Sequence, residues 1–174
     1  MLNKEDAMLF GIILIVIAQL ILIIKRVSVK KNAIITVFLL YVIMLVSVVF
    51  FPIPYQSKGY DLDYNYTPFL SIINYFDDGG IYGLKAVFGN IVLMVPWGVL
   101  FRMVFNNKKT WVFWLSTIVF CIGIEFAQHV INLIIGYRYR CVDVDDFILN
   151  ITGATIGYVL YLLVFKRFYK KISE

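Results

Sequence analysis

The stretch KRVSVKKNAIITVFLLYVIMLVSVVFFPIPY (Lys25–Tyr55) decides what kind of protein this is. From Ala33 to Phe51 it carries no charge, with a basic lip before it and Pro52 and Pro54 after it. About 20 apolar residues in a helix match the thickness of a bilayer's hydrocarbon layer. Prolines have no N–H to donate and stop the helix on the far side.

Four more segments share this character: Ala7–Ile24, Lys85–Phe105, Trp111–Ile135 and Phe147–Phe165. The whole chain is 61% hydrophobic and 16% charged, against roughly half and a quarter in soluble domains. Its 174 residues cannot hide that much apolar surface from water. The expectation is an all-α fold: a polytopic membrane helical bundle of about five transmembrane helices, one domain over residues 1–174. The leader MLNKED carries one lysine and two acids, and no small-residue cleavage site follows the first apolar run. That run therefore reads as a retained span rather than a signal peptide.

The net charge of +5 gathers at the ends of apolar runs, where it sets topology rather than marking a nucleic-acid partner. Lys25, Arg26, Lys30 and Lys31 follow the first span, Lys108 and Lys109 the third, and Lys166, Arg167, Lys170 and Lys171 the fifth. With five crossings these fall on one side, which the positive-inside rule makes cytoplasmic. The N-terminus is then outside and the C-terminus cytoplasmic. Glu5, Asp6, Asp61, Asp63, Asp77, Asp78, Asp143, Asp145 and Asp146 all fall on the opposite side. Cys121 in a span and Cys141 in a loop differ in depth, so no disulfide is expected. The connection 52–84 is too long for a plain turn. Its NYTPFLSIINYF (Asn65–Phe76), ahead of DDGG, predicts a short amphipathic helix at the interface or a lid over the spans.

Polar residues inside the spans carry the functional signal. Glu125 costs at least a few kcal/mol in hydrocarbon and must face protein, water or a partner. Glu125, Gln128, His129 and Asn132 recur at helical spacing on one face. By helical rise, Glu125 lies about 15 Å below the outer end of its span and Asn90 about 8 Å below the end of its own. Asp146, Asn150, Gly153 and Gly157 share one face of the fifth span. The two glycines read first as a helix-packing seam. Pro96 should kink the third span and free a carbonyl at Leu93 or Val92. Arg102 should extend its side chain to the cytoplasmic surface. Three spans thus bring amides and acids to one level, with Arg140 and Asp143 capping it.

At these residues the sequence resembles the VanZ-like family of bacterial membrane proteins. The matching pieces are NYTPF (Asn65–Phe69), GNIVLMVPWG (Gly89–Gly98), IEFAQ (Ile124–Gln128) and RCVDVDDFILNITGATIGY (Arg140–Tyr158). The resemblance runs from about Val37 to Tyr161. It implies a cell-envelope role, including reduced susceptibility to teicoplanin, a lipid-tailed glycopeptide. It places the family's pattern on Asn90, Pro96, Glu125, Gln128, Arg140, Asp143, Asp146 and Asn150, and it implies no settled reaction. His129 and Asn132 lie outside that pattern.

Three readings follow. In the plainest, the polar groups are an internal clasp, with Arg140 paired to Asp143 or Asp146 and Glu125 bonded to a neighbouring amide. In the second, Asn90, Glu125, Gln128, Arg140, Asp143, Asp146 and Asn150 form an outward-facing pocket. Its ligand would be a membrane lipid, a lipid-linked cell-wall precursor or a lipoglycopeptide, with Arg140 forking a phosphate or carboxylate. The number of polar groups at one depth favours this second reading over the clasp. In the third, the protein is an enzyme on a lipid-linked substrate. Asp143, Asp145 and Asp146 would hold Mg²⁺ or Ca²⁺, and Glu125 would act as general base. The same D–x–D–D also suits a helix start, and no zinc ligand set or nucleophile motif is present. A transmembrane path is not expected, because the cytoplasmic halves hold little beyond Arg102, Ser116 and Thr117 and no inverted repeat is visible.

Overall fold

A computed structural model describes residues 4–53, 64–77, 81–106, 108–136 and 140–167. The acids Asp61, Asp63 and Asp78, the tail residues Lys170, Lys171 and Glu174, and Pro54 lie outside the described residues. The helices are α1 (Lys4–Ile24), α2 (Val29–Phe50), α3 (Leu70–Asp77), α4 (Ile81–Val104), α5 (Thr110–Ile135) and α6 (Val144–Leu160). A π-helical turn, Tyr161–Phe165, continues α6. Two strands of two residues each, β1 (Tyr64–Asn65) and β2 (Val142–Asp143), pair in parallel.

Five of these helices are long and apolar enough to cross a bilayer: Glu5–Ile24, Val29–Phe50, Gly83–Val104, Thr110–Ile135 and Val144–Phe165. The chain is a multi-pass membrane protein. The expected ends hold to within a few residues, and the two larger differences have physical causes. α2 begins at Val29 and takes in Lys30 and Lys31, whose long stems let the charge reach water from the first helical turn. α6 begins at Val144 because Asp143 caps it.

The tightest contact in the bundle is α4 against α6. A Cβ on Gly153 would strike the carbonyl oxygen of Ile91, one on Gly157 that of Val95, and one on Gly98 that of Ala154. The missing side chains let the two backbones touch along two turns. The packing reading of Gly153 and Gly157 is therefore the observed one. Around this seam Trp97 stacks on Phe120 with centroids 4.2 Å apart, and Phe113 stacks on Tyr158 at 4.9 Å. Trp97 Nε1 donates to Thr117 Oγ1 at 3.0 Å, and Thr117 donates on to the Phe113 carbonyl at 2.8 Å. The half of the bundle away from α3 is thus aromatic, with the Trp97 and Thr117 side chains hydrogen-bonded within it.

α4 runs through Pro96 as one helix. The carbonyl of Leu93, next to the Val92 carbonyl that Pro96 deprives of its helical donor, accepts a hydrogen bond at 2.8 Å from Tyr41 of α2. Arg102 does not extend to the surface as expected. It is 9% exposed and folds beneath the α4–α5 turn, where Nη1 donates to the Lys108 carbonyl at 3.0 Å. α1 packs on α2, with Gly11 against Ile43 and Gln19 Nε2 bonded to Thr36 Oγ1 at 2.7 Å. Most of its remaining surface is exposed.

Two substitutions separate the seam from ordinary helical glycines. Gly157→Ala pushes a methyl into backbone and should lower stability by about 1–3 kcal/mol. Gly123→Ala meets open space and should leave stability unchanged or raise it by up to about 1 kcal/mol through helix propensity. Unfolding titrations of the two variants in detergent check the contrast.

Candidate functional site

The run Asp143-Val144-Asp145-Asp146 starts α6, and its three carboxylates go to three different places. Asp143 has extended backbone and caps the helix, its Oδ1 accepting from Asp145 N at 2.8 Å. The same oxygen accepts from Asn65 Nδ2 at 2.8 Å. That bond reinforces the β1–β2 pairing, in which Tyr64 lies opposite Val142 and Asn65 opposite Asp143. Asn65 also turns the chain locally, its Oδ1 accepting from Thr67 N at 2.9 Å.

Asp145 is 1% exposed. Its Oδ1 accepts from Phe69 N at 2.5 Å, and its Oδ2 from Ser71 N at 2.9 Å and Ile72 N at 3.1 Å. These are the amides at the start of α3, where orphan donors and the helix dipole favour a carboxylate. Phe69 sits at φ 67°, a left-handed conformation unfavourable to a residue with a side chain. The convergence of neighbouring amides on Asp145 holds it there. α3 is therefore fastened at its N-terminus to α6. It exposes Ile73 and Phe76 while Tyr75 turns toward the spans. It is an interfacial helix and a partial cover at once.

Asp146 points the other way, into the bundle, and accepts a hydrogen bond from Asn90 Nδ2 of α4. It borders a cavity of about 320 Å³. Of the seven residues singled out as ligand-binding, Asn90, Glu125, Gln128, Arg140, Asp146 and Asn150 line this cavity. Asp143 does not; it is 4% exposed and faces a second hollow. The structural reason is its capping geometry, which turns the side chain back toward β1. Among the described residues no group of three His, Cys, Asp or Glu side chains is placed to hold a metal ion. Both oxygens of Asp145 already accept backbone amides, so the D–x–D–D run does not present three carboxylates to one point.

Within the cavity the polar atoms are unevenly provided for. Glu125 Oε2 accepts from Asp143 N at 3.3 Å, a weak bond by length. Arg140 donates from Nη2 to the Val48 carbonyl at 3.4 Å, and its charge acts favourably on Asp146. The negative charges of Asp146 and Asp143 both act on Glu125. Gln128 is 7% exposed, and among the described residues its Oε1 has no hydrogen-bond partner.

Residues outside the seven also contribute. Asn132 is 1% exposed and grips the backbone of Arg140, donating to its carbonyl at 2.6 Å and accepting from its amide at 3.1 Å. With Gly136 in the left-handed region ending α5, this grip sets where Arg140 leaves the turn. Leu45 and Val48 of α2, Tyr75 of α3, and Lys85 of α4 complete the wall. Cys141 also lines it, whereas Cys121 is fully buried in the core, and neither forms a disulfide. The second hollow, about 470 Å³ and mostly apolar, lies across Glu125 from the first, between Tyr66, Phe126 and Phe147. His129 faces it, its ring 5.3 Å from that of Tyr64.

Residues 38–165, which include every residue of this site, match the VanZ/LLP1 family. The chain belongs to the VanZ/LLP1 family. Neither a curated protein nor a solved structure matches it. In this VanZ/LLP1 chain the family match starts inside α2, so α1 stands outside it. The pieces NYTPF and VDVDD, far apart in sequence, are joined in space through Asn65–Asp143 and Phe69–Asp145.

Asp145→Ala should release the start of α3. Hydrogen exchange at the amides of Phe69, Ser71 and Ile72 should speed up roughly ten- to hundred-fold, the factor expected on losing charge-assisted bonds. Asp146→Ala should leave those amides protected.

Proposed function

We propose that this VanZ/LLP1 protein binds the head group of an amphiphile in the cavity at the α3 end of the bundle. The observation that carries the reading is Gln128, a residue of the cavity wall whose buried Oε1 has no hydrogen-bond partner among the described residues. An acceptor left so costs about 1–3 kcal/mol unless a donor arrives. The head group should therefore present a hydroxyl, amide or ammonium donor to Gln128, with Glu125 and Asp146 accepting further bonds. Arg140 and Lys85 border the same space, so a phosphate or carboxylate fits beside the donors. Residues of the spanning helices form most of the wall, and a tail can remain among lipid chains while the head is bound. A lipid-linked cell-wall precursor or a lipoglycopeptide such as teicoplanin has this chemistry.

The charge distribution supports an outward-facing cavity in the cell membrane. Lys108, Lys109, Lys166 and Arg167 lie at the opposite ends of the helices from Asp143, Asp145 and Asp146. In this reading the N-terminus is outside and the C-terminus in the cytoplasm. A second reading has one observation in its favour: Glu125 and Asp146 border a single cavity, an arrangement that acid–base chemistry on a lipid-linked phosphate could use. Turnover of a polyprenyl diphosphate by the purified protein, lost in Glu125→Gln, would favour it over simple binding.

Cys141 provides the direct test. In proteoliposomes a water-soluble maleimide should label Cys141 and spare buried Cys121. Teicoplanin or a polyprenyl diphosphate should slow that labelling, and Gln128→Leu should raise the concentration needed by roughly tenfold or more. Labelling indifferent to both compounds, with folded protein, contradicts the reading. In cells, expression should reduce susceptibility to teicoplanin but not to a glycopeptide without an acyl tail. Arg140→Ala and Glu125→Ala, present at equal membrane levels, should abolish the effect.

A further inference from the structure

The opposite end of the bundle holds a buried cation that the head-group cavity does not use. Arg102 lies in the last turn of α4 and is only 9% exposed. Its Nη1 donates to the Lys108 carbonyl at 3.0 Å, and Nε is buried with no partner among the described residues. Two tyrosine rings of α6 and its π-helical continuation, Tyr158 and Tyr161, each lie with their centroid 5.8 Å from the guanidinium carbon. That distance is near the outer limit of a useful cation–π contact. Among the described residues no carboxylate pairs with Arg102. The described acids lie at the α3 end or, in the case of Glu125, within α5. A charge removed from water without a counter-charge is costly, and two ring faces and one carbonyl offset only part of that cost.

A second feature meets the first at the same turn. The Lys108 carbonyl that Arg102 holds lies two residues before α5 begins at Thr110. The N-cap there is Lys109, whose side chain makes no capping bond, and no acid stands in the first turn. Val112 N is satisfied by the Lys109 carbonyl at 3.0 Å, but the N–H groups of Thr110 and Trp111 and the positive end of the dipole are left without the side-chain acceptor such an end normally recruits. Lys108, Lys109 and Thr110 are exposed around it. A 26-residue helix start, two lysines and a buried guanidinium whose Nε has no partner among the described residues all ask for the same thing, an anion with several acceptor oxygens.

We infer that Arg102 and the start of α5 bind the phosphate of an anionic lipid from the leaflet at the α4–α5 turn, the cytoplasmic leaflet on the charge rule. The lipid source is preferred to a soluble anion because the exposed surface beside this turn is apolar. Phe105 and Trp111 flank the lysines, and chains attached to the phosphate can lie against them. The site shares no residue with the head-group cavity, so the two proposals stand or fall separately.

The test is thermal unfolding of the purified full chain in a neutral detergent, with four additions compared. Phosphatidylglycerol should raise the wild-type midpoint by roughly 2–4 °C, as expected for a ligand that binds only the folded form. Diacylglycerol with the same chains, which lacks the phosphate, should not. Glycerol phosphate and inorganic phosphate should give little or none of the rise. Arg102→Gln should lose the phosphatidylglycerol increment while Lys108 and Lys109 remain. Should that variant not fold, Arg102→Lys keeps the charge but loses the planar fork, and should retain less than half of the shift. An equal rise with diacylglycerol, or a full increment in the Arg102 variant, overturns the site. A full rise with glycerol phosphate overturns the lipid assignment.

Discussion

The contact on which the structure depends is the bare-backbone approach of α4 and α6. With no Cβ at Gly98, Gly153 and Gly157, the carbonyls of Ile91, Val95 and Ala154 lie where side chains would otherwise stand. This fixes the two helices in depth as well as in distance, because a slide along the seam would bring side chains into backbone. Depth is what the polar end requires. The same register sets Asn90 against Asp146 and puts Asn150 in the cavity wall. Where α2 and α5 meet this pair near α3, the packing leaves about 320 Å³ unfilled. The opposite half closes over Trp97, Phe101, Phe113 and Phe120.

Three aspartates within four residues illustrate how little composition says about role. Asp143 closes the strand pair and caps α6, Asp145 collects the orphan amides of α3, and Asp146 turns into the cavity. A helix start allows this because successive side chains leave the axis about 100° apart. The consequence couples cover and site. The element that carries Tyr75 over the cavity is anchored on the residue beside Asp146, so α3 cannot shift far without disturbing the start of α6. The Glu125 bond to Asp143 N adds α5 to the same knot.

Much of this was legible in the sequence, and the limits follow from range. Span ends could be read because hydrocarbon accepts apolar runs of one length, and charge marks their margins. The stripe of Glu125, Gln128 and Asn132 could be read because helical spacing is local. A carbonyl in need of a donor near Leu93 or Val92 followed from Pro96, but the bond from Tyr41 to Leu93 did not, since Tyr41 is 52 residues away on another helix. The fastening of Asn65 to Asp143 spans 78 residues, and Asp145 reaches Phe69 across 76. No period or spacing announces such pairs. Hence Asp143 was grouped with the cavity, and α2 was missed as a wall. Arg102 was assigned to the surface on a rule for charged side chains near span ends, and the aromatic cluster of α5 and α6 overrode that rule.

The central claim is that a ligand's donor group completes Gln128 in the cavity. An experimental structure of the protein in bacterial-lipid nanodiscs tests it most directly. Non-protein density is expected within hydrogen-bonding distance of Gln128 Oε1, touching Arg140 and continuing into the lipid region as a chain. A cavity collapsed by side-chain repacking, with the Gln128 amide bonded to a neighbouring residue, would contradict it.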